Sequence, residues 1–325
     1  MAGKGILLSE TQREIMNLEL IDLDQELPGQ RRFISCWTGV YDGRAFVVDP
    51  GPSSTASHLI GRLEALKVRH VDLILLTHIH LDHGGCTSRI LERWPKARVY
   101  CHESGRKHLQ DPSRLWQGSL KVLGHKAQVY GEPGPVPAAA FMDEAELERC
   151  GIQVIETPGH APHHVSFVVG DTLFLGEAAG TFSALGGPRD NLDCYLRPAT
   201  PPRFFPETAD RSLRAMLTVE PFPKRLCFAH HGHFTGDGRT LLEAARRQLR
   251  TWVATVANRL EAWGLDPADE AAVLERAPQL IAALRQADPG FARGVKLPED
   301  IRVREEDFTR QTLRGICGHL ATSGR

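Results

Sequence analysis

Residues 77 to 86 constrain this chain more than any other segment, because metal-binding side chains are concentrated there directly after an apolar run. The segment reads Thr-His-Ile-His-Leu-Asp-His-Gly-Gly-Cys, so that His78, His80, Asp82 and His83 fall within six positions. The preceding residues 71 to 76 form the short apolar run that is typical of a buried strand. Imidazole and carboxylate groups suit zinc, iron or manganese. A strand that ends in a tight turn would bring all four side chains together, so the segment predicts a metal site for two ions.

The overall composition indicates a soluble globular protein without a strong electrostatic field. The 325 residues carry a formal net charge of −1, which argues against general attraction to nucleic acid or an anionic membrane. No apolar run approaches the roughly eighteen residues of a membrane span, and the first residues lack the apolar segment of a secretion signal. The seven cysteines are dispersed without a C-x-x-C pair, which indicates reduced thiols. We therefore expect a cytoplasmic protein whose partner is a small-molecule substrate, with neither nucleic acid nor membrane as a partner.

The order of predicted elements indicates an α+β protein with a helical end. Strands are expected at 18–23, 33–37, 45–48, 71–76, 97–101, 152–155, 165–169, 172–176 and 226–228, and helices at 54–67 and 88–94. From residue 239 onward the apolar spacing is helical, with later helices near 270–286 and 305–320. We assign 1–238 to a catalytic domain. We expect residues 239–325 to form a helical extension that caps the site, supplies a homodimer surface, or does both.

Three further turns offer the ligands that a two-metal site needs beyond the first segment. Each lies at the end of a predicted strand beside a glycine or another small residue: His160 in a Thr-Pro-Gly-His turn, Glu177 after Gly176, and His230 or His231 after Ala229. The rigid backbone at such positions can hold the geometry of a metal ligand.

These motifs, taken in order, resemble those of the metallo-β-lactamase-fold hydrolases. The similarity covers roughly residues 18 to 235 and begins with an Asp-Pro-Gly turn at Asp49. It is closest to uncharacterised members of the glyoxalase II and lactonase branch, and it implies a four-layer αβ/βα sandwich with a C-terminal helical extension. The resemblance also implies the ligand sets: His78, His80 and His160 for one ion, and Asp82, His83 and His230 for the second.

Two positions depart from the family pattern. Glu177 stands where the family usually has an aspartate that bridges both ions. The longer glutamate bridges from a shifted strand end, binds one ion only, or leaves the second site weak. His163 and His164 stand where many relatives have Gly-Ser, and they are expected either to contact substrate or ligands or to serve in packing. The small residue before His230 favours it over His231 as the last ligand.

Substrate specificity in this fold depends on loops, which are predicted here at 103–148 and 181–206. The second of these is rich in glycine and proline, and long loops of this kind tend to be functional. Tyr195 and Arg197 lie within it and are candidate substrate contacts, together with His164. The alternative for Tyr195 and Arg197 is a solvated loop without a functional role.

The resemblance implies a metal-dependent hydrolase. Two divalent ions, zinc in preference to iron or manganese, would hold a hydroxide that attacks a small ester, thioester or lactone. Asp82 would orient that hydroxide and accept a proton. The alternatives are an oxidoreductase that uses a single iron ion on a persulfide, and a metal-binding module without catalysis. A nuclease is disfavoured, because the net charge is near zero and no basic segment interleaved with aromatic residues is evident.

Overall fold

The part of the chain described by the structure forms twelve strands and thirteen α-helices. A computed structural model describes residues 15 to 201 and 204 to 323. The strands are β1 (Met16–Leu23), β2 (Ile34–Tyr41), β3 (Arg44–Val48), β4 (Leu73–Leu75), β5 (Arg98–Tyr100), β6 (Ile152–Glu156), β7 (Val165–Val169), β8 (Thr172–Gly176), β9 (Thr181–Ser183), β10 (Tyr195–Arg197), β11 (Arg225–Phe228) and β12 (His233–Phe234). The helices are α1 (Ala56–Ala65), α2 (Leu81–Gly84), α3 (Thr87–Arg93), α4 (Glu103–Gln110), α5 (Ser113–Leu123), α6 (His125–Tyr130), α7 (Glu144–Arg149), α8 (Pro206–Leu217), α9 (Gly238–Trp263), α10 (Glu270–Glu275), α11 (Ala277–Ala287), α12 (Pro289–Ala292) and α13 (Glu299–Ser323).

Two five-stranded sheets face each other across a central core. The first sheet has the order β1-β2-β3-β4-β5, in which β3, β4 and β5 are parallel. The second has the order β12-β11-β8-β7-β6, in which β8 and β11 are parallel. Between the sheets, the rings of Trp37 and Phe46 lie 6.3 and 5.8 Å from the ring of Phe174. Aromatic side chains of this size dominate the energetics of a core, so these contacts hold the two sheets together.

The outer faces of both sheets are covered by helices. Because successive residues of a strand face opposite sides, Ile74 of the first sheet points away from the central core and shares a cluster with Leu59 of α1. In the second sheet, Leu173 packs in the same way in a cluster with Leu213 of α8 and Leu241 of α9. The layers therefore run helix, sheet, sheet, helix, and the predicted αβ/βα sandwich is confirmed.

The C-terminal helices pack directly against the strands. Helix α9 begins at Gly238, one residue before the predicted start of the helical extension. Its first turns join the cluster of the second sheet, whereas Trp252 and Val256 pack with α11, α13 and Tyr195 of β10. Among the helices that the structure describes, none has the length and apolar character needed to cross a membrane.

Two of the predicted loops are wrong. Residues 103 to 148 contain the helices α4 to α7, and residues 181 to 206 contain β9, β10 and the start of α8. The three-residue strands β9 and β10 pair antiparallel with Tyr195 opposite Ser183. Strands this short are stabilised by buried tertiary partners rather than by local propensity. The helix predicted at 270–286 is likewise divided into α10 and α11 at Arg276.

Candidate metal centre

The first ligands lie between the end of β4 and the short helix α2. Thr77 follows β4, and both its backbone N–H and its hydroxyl donate hydrogen bonds to Asp49, at 2.8 Å to Oδ1 and 2.7 Å to Oδ2. His80 precedes the first residue of α2, and Asp82 lies in its first turn. Because β3 and β4 are parallel neighbours, the Asp-Pro-Gly turn after β3 reaches the turn that carries the ligands and fixes it.

The structure brings the seven predicted ligands into two groups of converging atoms. The first ligand group is His78, His80, His160 and Glu177, and the second ligand group is Asp82, His83 and His230. Within each group the possible ligand atoms lie within 4.8 Å of one another. The side chains of His80, Asp82 and His160 are partly exposed, so the centre opens to solvent on their side.

Four of the histidines are held through Nδ1, which leaves Nε2 for the centre. Their Nδ1 atoms lie 3.1 Å from Thr77 Oγ1 for His78, 3.3 Å from Asp49 Oδ2 for His83, 3.2 Å from the Ala199 carbonyl for His160, and 2.9 Å from the Phe33 carbonyl for His230. The buried Nε2 atoms of His78 and His83 have no hydrogen-bond partner among the described residues. Buried polar atoms are rarely left unpaired, and metal-binding histidines are oriented in this way through their other ring nitrogen. The residues present therefore fit divalent metal ions.

The carboxylate of Glu177, a member of the first ligand group, also lies close to two histidines of the second group. Its Oε2 is 2.9 Å from His160 Nε2 and 3.6 Å from His78 Nε2, whereas its Oε1 is 3.4 Å from His230 Nε2. Gly176 makes this position accessible: its φ is +56°, and a Cβ there would lie 2.5 Å from His164 Nε2. Only glycine meets both conditions without strain, so the end of β8 is built to bring Glu177 to the centre.

Burial and neighbouring charges together determine the charge state of the ligands. Burial lowers the pKa of His78, and the neighbouring histidines lower it further. Burial likewise lowers the pKa of His80 to about 3. Although burial by itself raises the pKa of Glu177, His160 and His230 outweigh this effect and hold that pKa well below its usual range. Neutral imidazole and ionised carboxylate are the forms that bind metal.

The carboxylates also make the centre attractive to positive charge. Asp82 Oδ2 and Glu177 Oε2 lie 3.5 and 3.4 Å from His83 Nε2, and Asp49 Oδ2 lies 3.3 Å from its Nδ1. Although burial lowers the pKa of His83, these carboxylates raise it well above its usual range. Three carboxylates around one buried imidazole favour a bound cation, and a divalent metal would be the largest local charge of such a site.

The family follows from the match of the sequence to known proteins. Residues 30 to 238 match the profile of the metallo-beta-lactamase superfamily. The chain belongs to this superfamily. The matched segment ends where α9 begins, so it includes both ligand groups, the whole second sheet and every strand of the first sheet except β1.

Two relatives show how far the similarity of sequence extends. The chain is 32% identical over 171 residues to the metallo-beta-lactamase fold-containing protein ST1585 of Sulfurisphaera tokodaii, a match that covers 50% of this chain and 61% of the relative. It is 34% identical over 145 residues to the hydroxyacylglutathione hydrolase of Xylella fastidiosa strain M23, which covers 43% of each chain. The chain therefore spans less than two thirds of the length of either relative.

Solved structures of the superfamily share the fold. The crystal structure of ST1585 from Sulfolobus tokodaii gives a TM-score of 0.57 at 25% identity and covers 72% of this chain and 86% of that one. The structure of the metallo-beta-lactamase family protein TTHA1429 from Thermus thermophilus gives a TM-score of 0.54 at 20% identity, over 89% and 93% of the two chains. The second likeness is one of fold alone.

Two histidines next to the superfamily ligands have structural contacts instead. His164 is 1% exposed. Its Nδ1 lies 2.8 Å from Thr157 Oγ1, and its Nε2 accepts a hydrogen bond of 3.1 Å from the backbone N–H of Glu177. The expectation that His164 contacts substrate is corrected, because both ring nitrogens are used inside the protein. His231 has a φ of +64° and turns its Nε2 to the guanidinium of Arg304, so the structure places His230, and not His231, with the other ligands.

Tyr195 and Arg197 do not lie in a substrate-facing loop, which corrects the sequence-based expectation. Both are in β10 and are 1% and 2% exposed. The Tyr195 hydroxyl and the Arg197 Nε each donate a hydrogen bond of 2.9 Å to Glu305 Oε2. Because their polar groups bind a buried carboxylate of α13, the arrangement gives no support to a role in substrate binding.

Sequence reasoning missed the contribution of α13 to the surroundings of the centre. Arg304 and Glu305 are 3% and 4% exposed, although charged residues are seldom buried unless they are paired. The available signal was their position: Ile301, Arg304, Glu305 and Phe308 follow the three- and four-residue spacing of one helix face. A charged pair within an apolar helix face indicates buried partners elsewhere in the chain.

Proposed function

We propose that the protein is a metal-dependent hydrolase that binds two divalent ions and cleaves a small ester, thioester or lactone. The observation that carries this proposal is the position of the Glu177 carboxylate, whose Oε2 lies 2.9 Å from His160 of the first ligand group and 3.4 Å from His83 of the second, and whose Oε1 lies 3.4 Å from His230 of the second. A carboxylate between two sets of inward-facing nitrogens suits a pair of ions. The name of the X. fastidiosa relative, hydroxyacylglutathione hydrolase, supports a hydrolase.

The two ligand groups would hold one ion each, and Glu177 of the first group would lie within reach of the second. Imidazole and carboxylate ligands favour zinc, and they also suit iron or manganese. When bound, such ions polarise a carbonyl oxygen and lower the pKa of water towards neutrality. The protein contributes a centre whose ligands are oriented beforehand, because Thr77, Asp49, Ala199 and Phe33 hold the histidine rings through Nδ1.

We propose that Asp82 is the residue that orients the attacking water molecule and receives its proton. Its side chain is 18% exposed, whereas the side chains of His83 and Glu177 are 0% and 9% exposed. Although burial raises the pKa of Asp82, the interaction with His83 lowers it below the usual range. The low pKa keeps this carboxylate ionised at the open side of the centre, where it can orient a water molecule through its Oδ atoms; as a weak base it would take up the proton only transiently.

The space beside the centre supports a small substrate group. A cavity next to His160 and Glu177 has walls of short or apolar side chains, among them Ala178, Ala199, Phe204, Ala209 and Leu249. Thr200 and Gln248 add polar groups to the lining, and the cavity volume is about 30 Å³. This is far below the roughly 300–1,000 Å³ of a typical ligand pocket, so the cavity could receive no more than a small group of the substrate.

Metal analysis paired with a substrate panel tests this function. We expect two ions per chain in protein purified without a metal-binding tag, and hydrolysis of at least one ester, thioester or lactone. The double variant H78A/H80A should lose both the metal and the hydrolysis. The matched control H58A/H70A removes two exposed histidines and should keep both.

Three results would contradict the proposal. Hydrolysis by protein from which metal has been removed would exclude a metal-dependent reaction. A single iron ion with oxygen consumption on a persulfide, and no hydrolysis, would favour the oxidoreductase. Stoichiometric metal without turnover on the whole panel would favour a binding module.

A further inference from the structure

Phe33 connects the second ligand group to the last helix of the chain. Its ring lies parallel to the ring of His230, with a centroid distance of 4.1 Å and an interplanar angle of 6°. Its carbonyl oxygen lies 2.9 Å from His230 Nδ1. The ring of Phe308 in α13 also stacks on Phe33, at 5.0 Å. One residue therefore supplies both the ring contact and the Nδ1 partner of His230, and α13 holds that residue.

Arg304 reinforces this connection from the same helix. Its guanidinium carbon lies 4.6 Å from the centroid of the Phe33 ring, within the range of a cation–π interaction. Its Nη1 donates a hydrogen bond of 2.7 Å to the carbonyl of Gly29, and its Nη2 contacts Nε2 of His231, the neighbour of His230. Arg304 thus binds the segment before Phe33, the Phe33 ring and the residue after His230.

The close approach of α13 is built into the chain at Gly29. This residue has a φ of +71°, and a Cβ there would lie 2.3 Å from the Asp300 carbonyl oxygen and 2.9 Å from Arg304 Cβ. No other residue type fits both the conformation and the space. At the exposed edge of this contact between the Gly29 segment and α13, Arg31 Nε lies 2.7 Å from Asp300 Oδ2. The segment before Phe33 and the start of α13 therefore form one packed unit.

The charge of Arg304 is used entirely within the protein. The residue is 3% exposed, and its Nε and Nη2 lie 3.1 and 3.0 Å from Glu305 Oε1. Each nitrogen of this buried guanidinium has a partner within the protein, and its removal would leave neighbouring acceptors without partners. Its contacts with Gly29, Phe33 and His231 are therefore positional.

We infer that Arg304 and Phe308 are positioning residues for the second ligand group, because they hold Phe33 against His230. The first ligand group is oriented by other residues: Thr77 holds His78, and the Ala199 carbonyl holds His160 from a segment that contacts α13 at Thr312. If Phe33 is held less firmly, the protein should therefore bind one ion more weakly and the other with unchanged affinity. The inference rests on the two-ion centre proposed above.

A metal titration of full-length protein tests this inference. We would remove the metal with chelator, add zinc back, and measure two dissociation constants by competition with a chromophoric chelator for the wild type, R304M and R302M. Loss of a residue that orients a metal ligand typically weakens metal binding about 10- to 100-fold. We expect R304M to raise the dissociation constant of one ion by about this factor and to leave that of the other ion unchanged. R302M removes an exposed arginine of the same helix and should match the wild type.

The retained ion shows that the R304M protein is folded, and F308L provides a second variant. Leucine keeps an apolar side chain at position 308 but removes the ring that stacks on Phe33, so F308L should weaken the same ion to a smaller extent. Equal affinity of R304M and the wild type for both ions would overturn the inference, and so would equal weakening of both ions. A wild-type chain that takes up only one ion would contradict the two-ion centre itself, a failure that is visible before any variant is compared.

Discussion

Glu305 is the residue whose substitution most directly measures how α13 is held in the fold. Its Oε2 accepts hydrogen bonds of 2.9 Å from the Tyr195 hydroxyl and from Arg197 Nε, and its Oε1 lies 3.0 Å from Arg304 Nη2. The substitution E305Q keeps the shape of the side chain and removes the charge. Two buried arginines then face each other without the carboxylate between them, and we expect a large loss of stability.

The magnitude follows from the pKa of Glu305. Burial raises this pKa, but Arg197 and Arg304 outweigh burial and lower it from 4.5 to about 2. At roughly 1.4 kcal/mol per pKa unit, the ionised carboxylate stabilises the folded state by about 3 kcal/mol at pH 7. Because the pKa is depressed on folding, this contribution is complete above pH 4.5 and is lost as the pH falls towards 2. Roughly half of it should remain at about pH 3.5.

Urea unfolding followed by circular dichroism tests this expectation. The wild type and E305Q are compared at pH 7 and at about pH 3.5, both with chelator present so that metal binding does not affect the difference. E306Q is the matched control: Glu306 pairs with Arg285 at 2.8 Å, with side chains 49% and 36% exposed, and an exposed pair contributes only about 0–1 kcal/mol. A loss in E305Q no larger than that in E306Q would refute the reasoning. A difference that does not shrink at acid pH would show that the charge of Glu305 is not its cause.

Two further substitutions test how the centre is positioned. The substitution T77V keeps the shape of the side chain but removes its hydroxyl, which donates to Asp49 Oδ2 at 2.7 Å and lies 3.1 Å from His78 Nδ1. Chelator competition should then show that metal binding is about 10-fold weaker. An unchanged affinity would contradict this role of Thr77. In G176A the alanine would have to adopt a φ of +56°, and its Cβ would lie 2.5 Å from His164 Nε2. Thermal unfolding of the metal-free protein should therefore show that the free energy of unfolding falls by about 1–3 kcal/mol. A melting temperature equal to that of the wild type would show that the end of β8 adapts without cost.

The ligand positions could be predicted from the sequence because each depends on a local pattern. His160, Glu177 and His230 follow apolar runs that end beside a glycine or an alanine, and the chemistry of each side chain is visible in the sequence alone. Strands β8 and β11 are parallel neighbours, which brings Glu177 and His230 to the same end of the second sheet. Strand β6 runs in the direction of β8 because both are antiparallel to β7, so His160 reaches that end as well. The layers of the fold follow for the same reason, since alternating apolar residues specify which faces are buried.

The surroundings of the centre could not be predicted, because they depend on pairs that are far apart in the sequence. The glycine and proline content of 181–206 indicates a loop, yet β10 is buried through contacts with Glu305, 108 residues after Arg197. No local pattern reports such a partner. Phe33 and Phe308 meet in the same way across most of the chain. The error at Tyr195 and Arg197 therefore has a physical cause: tertiary contacts outweigh local propensity.

Glu177 illustrates how backbone contacts compensate for a longer side chain. Each additional rotatable bond adds freedom that must be lost when the carboxylate is held in one place, so a glutamate needs a firmer anchor than an aspartate. Here the anchor lies in the backbone: the N–H of Glu177 donates to His164 Nε2 at 3.1 Å, and its carbonyl accepts from the N–H of Gly180 at 2.9 Å. His164 is itself held by Thr157. With the backbone fixed on both sides, one carboxylate oxygen lies 2.9 Å from His160 and the other 3.4 Å from His230. The carboxylate is therefore held within reach of histidines of both ligand groups.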